Sequence, residues 1–480
     1  MSPDLLIGLD QGTTGTTALV VDRDLRVQGR ATVAFPQHFP EPGWVEHAPE
    51  EIWASVRAAL CEATAGLDPA RFAALGITNQ RETTFIWDAA TGEDLGRALV
   101  WQDRRTAAHC QALKPQEAEI RAATGLPLDP YFSATKLAWL QARHPGRALA
   151  FGTADAWLLR RLTGIHATEP SNASRTQLFD LRQGAWSGDL QRRFGVAEVA
   201  LPALRPSAGP FGRVRGVPEL PEGLPLTGVL GDQQAALFGQ GCFAAGQAKI
   251  TYGTGSFVLM NAGGEVPASR HGLLATVAWR LGAETTFALE GGAFVAGALV
   301  QWLRDGLGLI ASASEVEALA RSVPDSGGVV MVPALAGLGA PHWRPEATGL
   351  IHGLTRGTTA AHLARAALEG IAHAQADILE AMAADLGEAP VDLRVDGGAA
   401  ANDLLLQIQA DLLGRPLLRP RLLETTALGA ALVAGLGVGL FASLEALHRA
   451  YPLERRFEPA ADPATVAASR ARWREAVARA

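Results

Sequence analysis

Over the first 35 residues, short apolar runs are separated by polar or Gly-containing turns. The runs LLIGLD at 5–10, TTALVVD at 16–22 and RVQGRATVAF at 26–35 predict three strands in a meander. Apolar positions then recur at helical spacing over 49–65, strand-like runs follow at 73–78 and 84–88, and helical spacing returns at 103–114 and 135–143. The stretch 196–230, rich in Pro and Gly, reads as a long irregular connection. Past Phe243 the opening pattern starts again: KITYGTGSFVLMN is strand, Gly/Thr turn, strand, like LLIGLDQGTTGTTALVV. This echo predicts an internal duplication, two lobes on one plan with a Gly/Thr turn facing inward from each. The second half adds helical patterns at 291–306 and 360–385, then the strand LRVDGG at 393–398 running into a helix that begins near Asn402. The Gly/Ala-rich run at 428–444 falls short of a membrane span and reads as a buried helix and turn.

This order of elements excludes two common phosphate-binding designs. A dinucleotide-binding βαβ unit would carry its first strand through a glycine fingerprint into a helix, whereas QGTTG leads straight into another strand. No GxxxxGK[ST] occurs, and Lys114, Lys136 and Lys249 are the only lysines. At 480 residues the chain needs more than one core, and 48% hydrophobic with 19% charged residues is a folded composition. A net charge of −7 without any run of like charge argues against a nucleic-acid or anionic-membrane partner. The three widely spaced cysteines fit reduced thiols, and the N-terminus does not read as a signal peptide, so a cytoplasmic protein is expected. The sequon Asn172-Ala173-Ser174 carries little weight in such a chain.

Candidate chemistry centres on GDQQAALFGQ at 231–240, which puts Asp232 on an apolar-flanked loop ahead of the Gly-Thr-Gly turn at 253–255. A tight glycine turn with a hydroxyl at Thr254 offers N–H and O–H donors to an anion, and a carboxylate near it can take the proton of an attacking alcohol. The glycine pair of LRVDGG, where a strand meets a helix, offers another close backbone approach. Each of these alone also fits an ordinary surface turn.

The motifs DQGTT (10–14), GWVEHAPEEIW (43–53), GITNQRETTFIW (76–87), VWQDRRT (100–106), PYFSATK (130–136), GDQQAALFGQ, TYGTGSF, GLGAPHW (337–343), GLTRG (353–357), VDGGAAAN (395–402) and TALGAA (426–431) lie in order over nearly the whole chain. Together they resemble the FGGY family of carbohydrate kinases, and most closely its glycerol-phosphorylating members. The resemblance implies an α/β fold of two duplicated actin-like, ribonuclease H-like lobes with the active site in the cleft between them. An N-terminal lobe would span 1–241 and a C-terminal lobe 242–480. It further implies ATP-dependent phosphorylation of glycerol to sn-glycerol 3-phosphate with ATP and Mg²⁺, no nucleic-acid partner, no membrane insertion, and a homo-oligomer, dimer or tetramer.

Residue by residue, the resemblance makes Arg81, Glu82, Tyr131, Asp232 and Gln233 the polar contacts of the polyol, with Trp101 and Phe257 as its apolar wall. Asp232 becomes the general base. Thr13, Thr14 and Gly15 fall on the first phosphate turn and Thr254 on the second. Gly297, Gln301, Gly398 and Asn402 match the family's adenosine and ribose contacts, and Asp10 matches a carboxylate that orients Mg²⁺ through water. Two places depart from the pattern. Gly15, Thr16 and Thr17 stand where relatives commonly read SSR, which removes an arginine near the transferred phosphate, and Asp103 stands where many relatives have an uncharged residue. The segment RVRGVPELPEGLP also lacks the Gly-rich, Arg-containing loop of relatives inhibited by fructose 1,6-bisphosphate, and the phosphorylatable histidine loop of other relatives is not evident.

Overall fold

One five-strand plan occurs twice in the central sheet of the structure, a computed structural model that describes residues 3–387, 389–448 and 453–480. In the first unit, β1 (Leu5–Gln11), β2 (Gly15–Val21) and β3 (Val27–Ala34) form an antiparallel meander. β4 (Phe72–Asn79) then pairs parallel to β1. After a long excursion the chain returns as β5 (Ala208–Arg213) and β6 (Pro225–Gly231), with β6 parallel to β4. The second unit repeats the arrangement with β7 (Gln247–Tyr252), β8 (Ser256–Gly263), β9 (Leu274–Leu281) and β10 (Glu284–Ala293). Here β10 lies beside β8, and β11 (Asp392–Asp396) and β12 (Leu417–Pro420) continue in parallel from β7. Adding the edge strand β13 (Leu453–Phe457), the order is β13-β12-β11-β7-β8-β10-β9-β5-β6-β4-β1-β2-β3. Among the described residues the strands of the two units join in the sheet at the parallel pairing of Ala208 with Leu281. The expected duplication is therefore present in five strands of each unit, β3-β2-β1-β4-β6 and β10-β8-β7-β11-β12, with β5, β9 and β13 outside the shared plan.

The helices that matter for the site are α1 (Pro49–Thr64), α2 (Ala154–Thr163), α3 (Pro170–Ala173), α4 (Asp232–Gly239), α5 (Gly297–Asp305), α6 (Ala360–Leu386), α7 (Asp403–Leu413) and α8 (Thr425–Gly437). On one face of the first unit, Leu5, Ile7 and Leu9 pack with residues of α1 and α2 into a core that includes Trp157. The other face, with Leu6, packs against α8, which comes from the far end of the chain.

That approach explains the Gly/Ala composition of the 428–444 run. Gly8, Gly76 and Gly228 lie side by side across β1, β4 and β6, in register with one another. A methyl group on any of them would land on the backbone of α8: Ala427 oxygen for Gly8, Ala430 oxygen for Gly76, Ala434 nitrogen for Gly228. Small residues on both surfaces thus let helix and sheet touch backbone to backbone. Gly76→Ala should destabilise the protein by about 3 kcal/mol, because rigid backbone rather than a movable side chain opposes the added methyl. Gly188→Ala, which meets nothing closer than 3.5 Å, is the control and should be near neutral in a urea or thermal melt.

The structure corrects four readings of the sequence. The 196–230 stretch is not irregular throughout, since it supplies β5 and the fully internal strand β6. Its Pro and Gly residues mark the strand start and the close pass under α8. Asp232 is not on a loop but is the first residue of α4, directly after β6. The helix expected at 291–306 begins only at Gly297, because 291–293 complete β10. The one expected at 103–114 is confined to Ala107–Leu113, since Asp103 is turned inward to bond backbone upstream of it.

Candidate active site

Side chains that follow β4 and β6 meet one face of β7 and β10, through Arg81 on Glu290 and Gln233 on Lys249. Cross-strand register puts Lys249 opposite Leu259, Thr251 opposite Phe257, Leu259 opposite Glu290 and Phe257 opposite Gly292. Directly paired residues in an antiparallel sheet point to the same side, so Phe257, Lys249, Thr251 and Glu290 share one face.

Across from that face, the chain leaving β4 places Arg81 and Glu82, both buried. Glu82 adopts a left-handed backbone (φ 59°), which a non-glycine residue keeps only where its surroundings hold it. The hydroxyls of Thr84 and Ser133 do so by donating to its carbonyl at 3.0 and 2.9 Å. Arg81 runs past Gly231, where a Cβ would lie 2.8 Å from its Cδ, and forms an ion pair through Nε with Asp232 at 3.0 Å. Asp232, at the start of α4, keeps 28% of its side chain accessible and accepts the Gln233 backbone N–H at 2.6 Å. The helix N-terminus adds its partial positive charge beneath the carboxylate.

The aromatic members assemble as well. Trp101 stacks edge-on to Tyr131 at 5.5 Å between centroids, and its indole Nε1 donates to Thr13 Oγ1 at 3.0 Å, tying this aromatic pair to the first Gly/Thr turn. Burial pushes the Tyr131 phenol upward, so the group is a neutral donor or acceptor. Phe257 lies against Gly292, where a methyl would come within 3.0 Å of its ring.

The first turn is closed by the Gly12 N–H donating to the Gly15 carbonyl at 2.9 Å, with Thr14 exposed. Buried His47 braces it from behind, facing Gln80 at 3.2 Å and the Thr13 backbone. Burial, reinforced by His38, holds the His47 imidazole down at about 4, against a raising contribution from Thr13. A histidine depressed in the folded state contributes stability that is complete above its unfolded value near 6.5 and is lost as pH falls toward 4. His47→Gln should therefore show a shallower loss of melting temperature between pH 7 and pH 4.5 than the wild type, by an amount worth about 2–3 kcal/mol. Equal slopes would remove His47 from the acid response.

On the second turn, the Ala296 and Ala298 N–H groups donate to the Thr254 carbonyl at 2.8 and 3.0 Å, which seats the turn on the start of α5. A Cβ at Gly297 would come within 2.6 Å of the Gly253 carbonyl, so this contact requires glycine. Gln301 projects from the same helix into solvent. Gly398 is open on its Cα side, and Asn402 caps α7 by accepting the Leu405 N–H at 2.9 Å.

Several residues of the site were not singled out from the sequence. Glu290 binds Arg81 through both guanidinium nitrogens. Arg175 reaches Glu82 and Glu290. Gln234 accepts from Arg81 at 3.3 Å. Lys249 donates to Gln233 Oε1 and, at 2.8 Å, to Thr251. The signal available for two of them was a lone charge inside an apolar strand, AKITY and FALEG. Burial would raise Glu290, yet Arg175 and Arg81 bring it down to about 2. For Glu82 burial prevails over the same two cations and its pKa is raised. Burial brings Lys249 down to about 8 against the pull of Asp396, Asp232 and Glu290.

Asp103 also acquires a structural account. It accepts the Val45 N–H at 2.7 Å and the Arg105 N–H at 3.0 Å, and it holds the Arg105 guanidinium, which covers Trp44 at 3.7 Å. It is a buried clamp on the segment leading to His47. Thr17 stands opposite Asp10 on β2, with its hydroxyl 3.0 Å from that of Thr32. Asn172 of the sequon is wholly buried and accepts from Asn79 at 3.0 Å.

Residues 5–239 match the model of the FGGY family of carbohydrate kinases, N-terminal domain, and residues 248–438 match its C-terminal domain. The chain belongs to the FGGY family of carbohydrate kinases. It is 53% identical to a glycerol kinase of Myxococcus xanthus over 99% of both chains, and 54% identical to one of Aromatoleum aromaticum over 99% of this chain and 98% of that one. The crystal structure of Plasmodium falciparum glycerol kinase with ADP superposes with a TM-score of 0.93 at 33% identity, covering 100% and 98% of the two chains. A xylulose kinase of Rhodospirillum rubrum shares the architecture (TM-score 0.87, 99% and 98% covered) at 25% identity. The expected two-lobed actin-like fold is thereby borne out. Among the described residues no helix is long and apolar enough to cross a membrane.

Proposed function

We propose that this chain phosphorylates glycerol to sn-glycerol 3-phosphate with ATP. The observation that carries this reading is identity above 50% over essentially the entire length to enzymes named glycerol kinase, and it is supported by the pairing of Arg81 with Asp232 and the packing of Trp101 on Tyr131. In this reading Arg81, Glu82, Tyr131 and Gln233 take the hydroxyls, and Trp101 and Phe257 cover the carbon chain. Thr13, Thr14, Gly15 and Thr254 meet the phosphates, and Gly297, Gln301, Gly398 and Asn402 meet the adenosine. The lobes divide near residue 241, and the active form is a cytoplasmic dimer or tetramer.

Asp232 acts as general base. It is the accessible carboxylate of the polyol cluster, and the ion pair with Arg81 fixes its orientation. Because phosphoryl transfer is largely dissociative, the carboxylate chiefly aims the hydroxyl oxygen and accepts its proton late. Positioning by the closed cleft and donors on both phosphate turns supply most of the remaining barrier reduction.

Asp10 fits a Mg²⁺-linked carboxylate. Among the described residues its buried Oδ1 has no partner, and burial, with the Asp232 charge adding, raises its pKa to about 8. A nearby divalent cation reverses such a shift, and the ion, when bound, neutralises phosphate charge. An ADP-release assay over glycerol, erythritol, xylulose and ribulose tests the assignment. The highest kcat/KM should fall to glycerol, and preference for a ketopentose would overturn the reading.

A further inference from the structure

Four buried charges at the root of the cleft form a closed ring of alternating sign. Glu82 Oε1 accepts from Arg175 Nε at 2.5 Å, and Arg175 donates through a terminal nitrogen to Glu290 Oε1 at 3.2 Å. Glu290 in turn takes both terminal nitrogens of Arg81, at 2.5 and 2.9 Å, and Arg81 Nε closes the ring 4.0 Å from Glu82 Oε1. The four side chains are between 0 and 3% exposed. Arg81, Glu82 and Arg175 come from the first half of the chain, and Glu290 comes from β10 in the second. Rings of this kind are a poor source of stability, because apolar residues of equal volume commonly serve as well. Their value lies in what they hold.

Counting donors shows what is held. A guanidinium has five N–H groups. One terminal nitrogen of Arg81 gives its two to Glu290 and to Gln234 Oε1, the other gives one to Glu290, and Nε faces Asp232. Two N–H groups of Arg81 are left without a hydrogen bond among the described residues: one on the second terminal nitrogen, and the Nε–H, which lies beside Asp232 without hydrogen-bond geometry. Glu82 likewise has Oε1 committed to Arg175, while its Oε2 has no protein partner among the described residues. Each of the two side chains is thus fixed along one edge by a residue outside its own loop and keeps polar atoms without a hydrogen-bond partner among the described residues.

We propose that Glu290 and Arg175 are positioning residues for polyol recognition, holding Arg81 and Glu82 so that the unengaged N–H groups of the one and the unengaged carboxylate oxygen of the other face the vicinal hydroxyls. The proposal rests on the polyol role of Arg81 and Glu82 given above. Glu290 also keeps the guanidinium from turning fully onto Asp232. With its fork released, Arg81 is free to take the Asp232 carboxylate from two nitrogens, which is the favoured geometry of such pairs and would withdraw the oxygen meant for the substrate hydroxyl.

The test uses Glu290→Gln, which keeps shape and removes charge, in the full-length enzyme. KM for glycerol should rise roughly 10–100-fold with KM for ATP within about threefold, and the preference for glycerol over 1,2-propanediol should fall about tenfold. Glu290→Asp, which keeps the charge and the fold, should show the same pattern at about threefold. The double variant Arg175→Met with Glu290→Gln removes one charge of each sign and should reproduce the effect of Glu290→Gln in a neutral ring. Melting curves certify folding of each. A folded variant with unchanged glycerol KM and unchanged preference overturns the proposal, and so does one in which kcat and the KM for ATP move as far as the KM for glycerol. Failure of the glycerol assignment would appear in the wild-type panel, whereas failure of the ring proposal appears only in the variants, run with whichever polyol the wild type prefers.

Discussion

Replacing Asp232 with Asn should lower kcat by about 10²–10⁴ and leave the KM for glycerol within a few-fold. Asparagine keeps the length of the side chain and one acceptor oxygen, so it can still receive the Gln233 N–H that anchors Asp232 at 2.6 Å. It cannot take a proton. Loss of the charge does not strand Arg81 either, because Glu290 engages both of its terminal nitrogens. The effect should therefore fall on turnover rather than on folding or ground-state binding. Steady-state kinetics with saturating ATP, together with a melting curve, separate these outcomes. A variant that turns over at close to the wild-type rate would take Asp232 out of the proton transfer.

The legible part of this molecule was whatever repeats or is bounded by glycine. The meander at the N-terminus and its echo after Phe243 were visible because strand alternation and Gly/Thr turns are local, and both units are present in the sheet. What was hidden depends on partners far away in sequence. PLTGVLG looks like a connection because its Pro and Gly suppress strand propensity, yet Gly228 is there because α8 lies on β6. The sequence of α8 says that it is buried but not that it crosses from the last part of the chain to the first unit.

The site divides along the same line. Asp232, Arg81 and Glu82 were found through motifs that sit on the chain as contiguous words. Arg175 and Glu290 were not, since nothing near either residue in sequence announces that they meet Arg81 and Glu82 across a separation of about a hundred residues or more. Asp103 went the other way. A charge beside the substrate segment looked like an exception to the family pattern, and the structure turns it inward as the acceptor for Val45 and Arg105.

Substrate choice carries the other large expectation. In the proposed reading Arg81, Glu82 and Asp232 satisfy three hydroxyls, and Trp101, anchored to Thr13, and Phe257, seated on Gly292, would set the length of the carbon chain between them. A diol lacking one hydroxyl leaves one of these groups unpaired as the cleft closes. Sites built to bond a hydroxyl discriminate by about 10⁴–10⁵ when it is removed. Asp232 keeps access to water, which moderates the penalty, so 1,2-propanediol should have a kcat/KM lower than glycerol by roughly 10² or more. Erythritol should fail for a different reason, collision with the aromatic wall. Phe257→Ala should then weaken glycerol and raise the erythritol-to-glycerol ratio, because it removes a ring without touching a polar contact. Gly292→Ala tests the seat of the ring: its methyl, 3.0 Å from the Phe257 ring, forces that ring to shift and should change the erythritol-to-glycerol ratio without touching a polar contact. Measuring kcat/KM for the three polyols in the three proteins decides the matter. If Phe257→Ala lowers all three equally, the wall does not set length, and if the wild type accepts 1,2-propanediol nearly as well as glycerol, the hydroxyl contacts assigned to Arg81, Glu82 and Asp232 are not the ones that select the substrate.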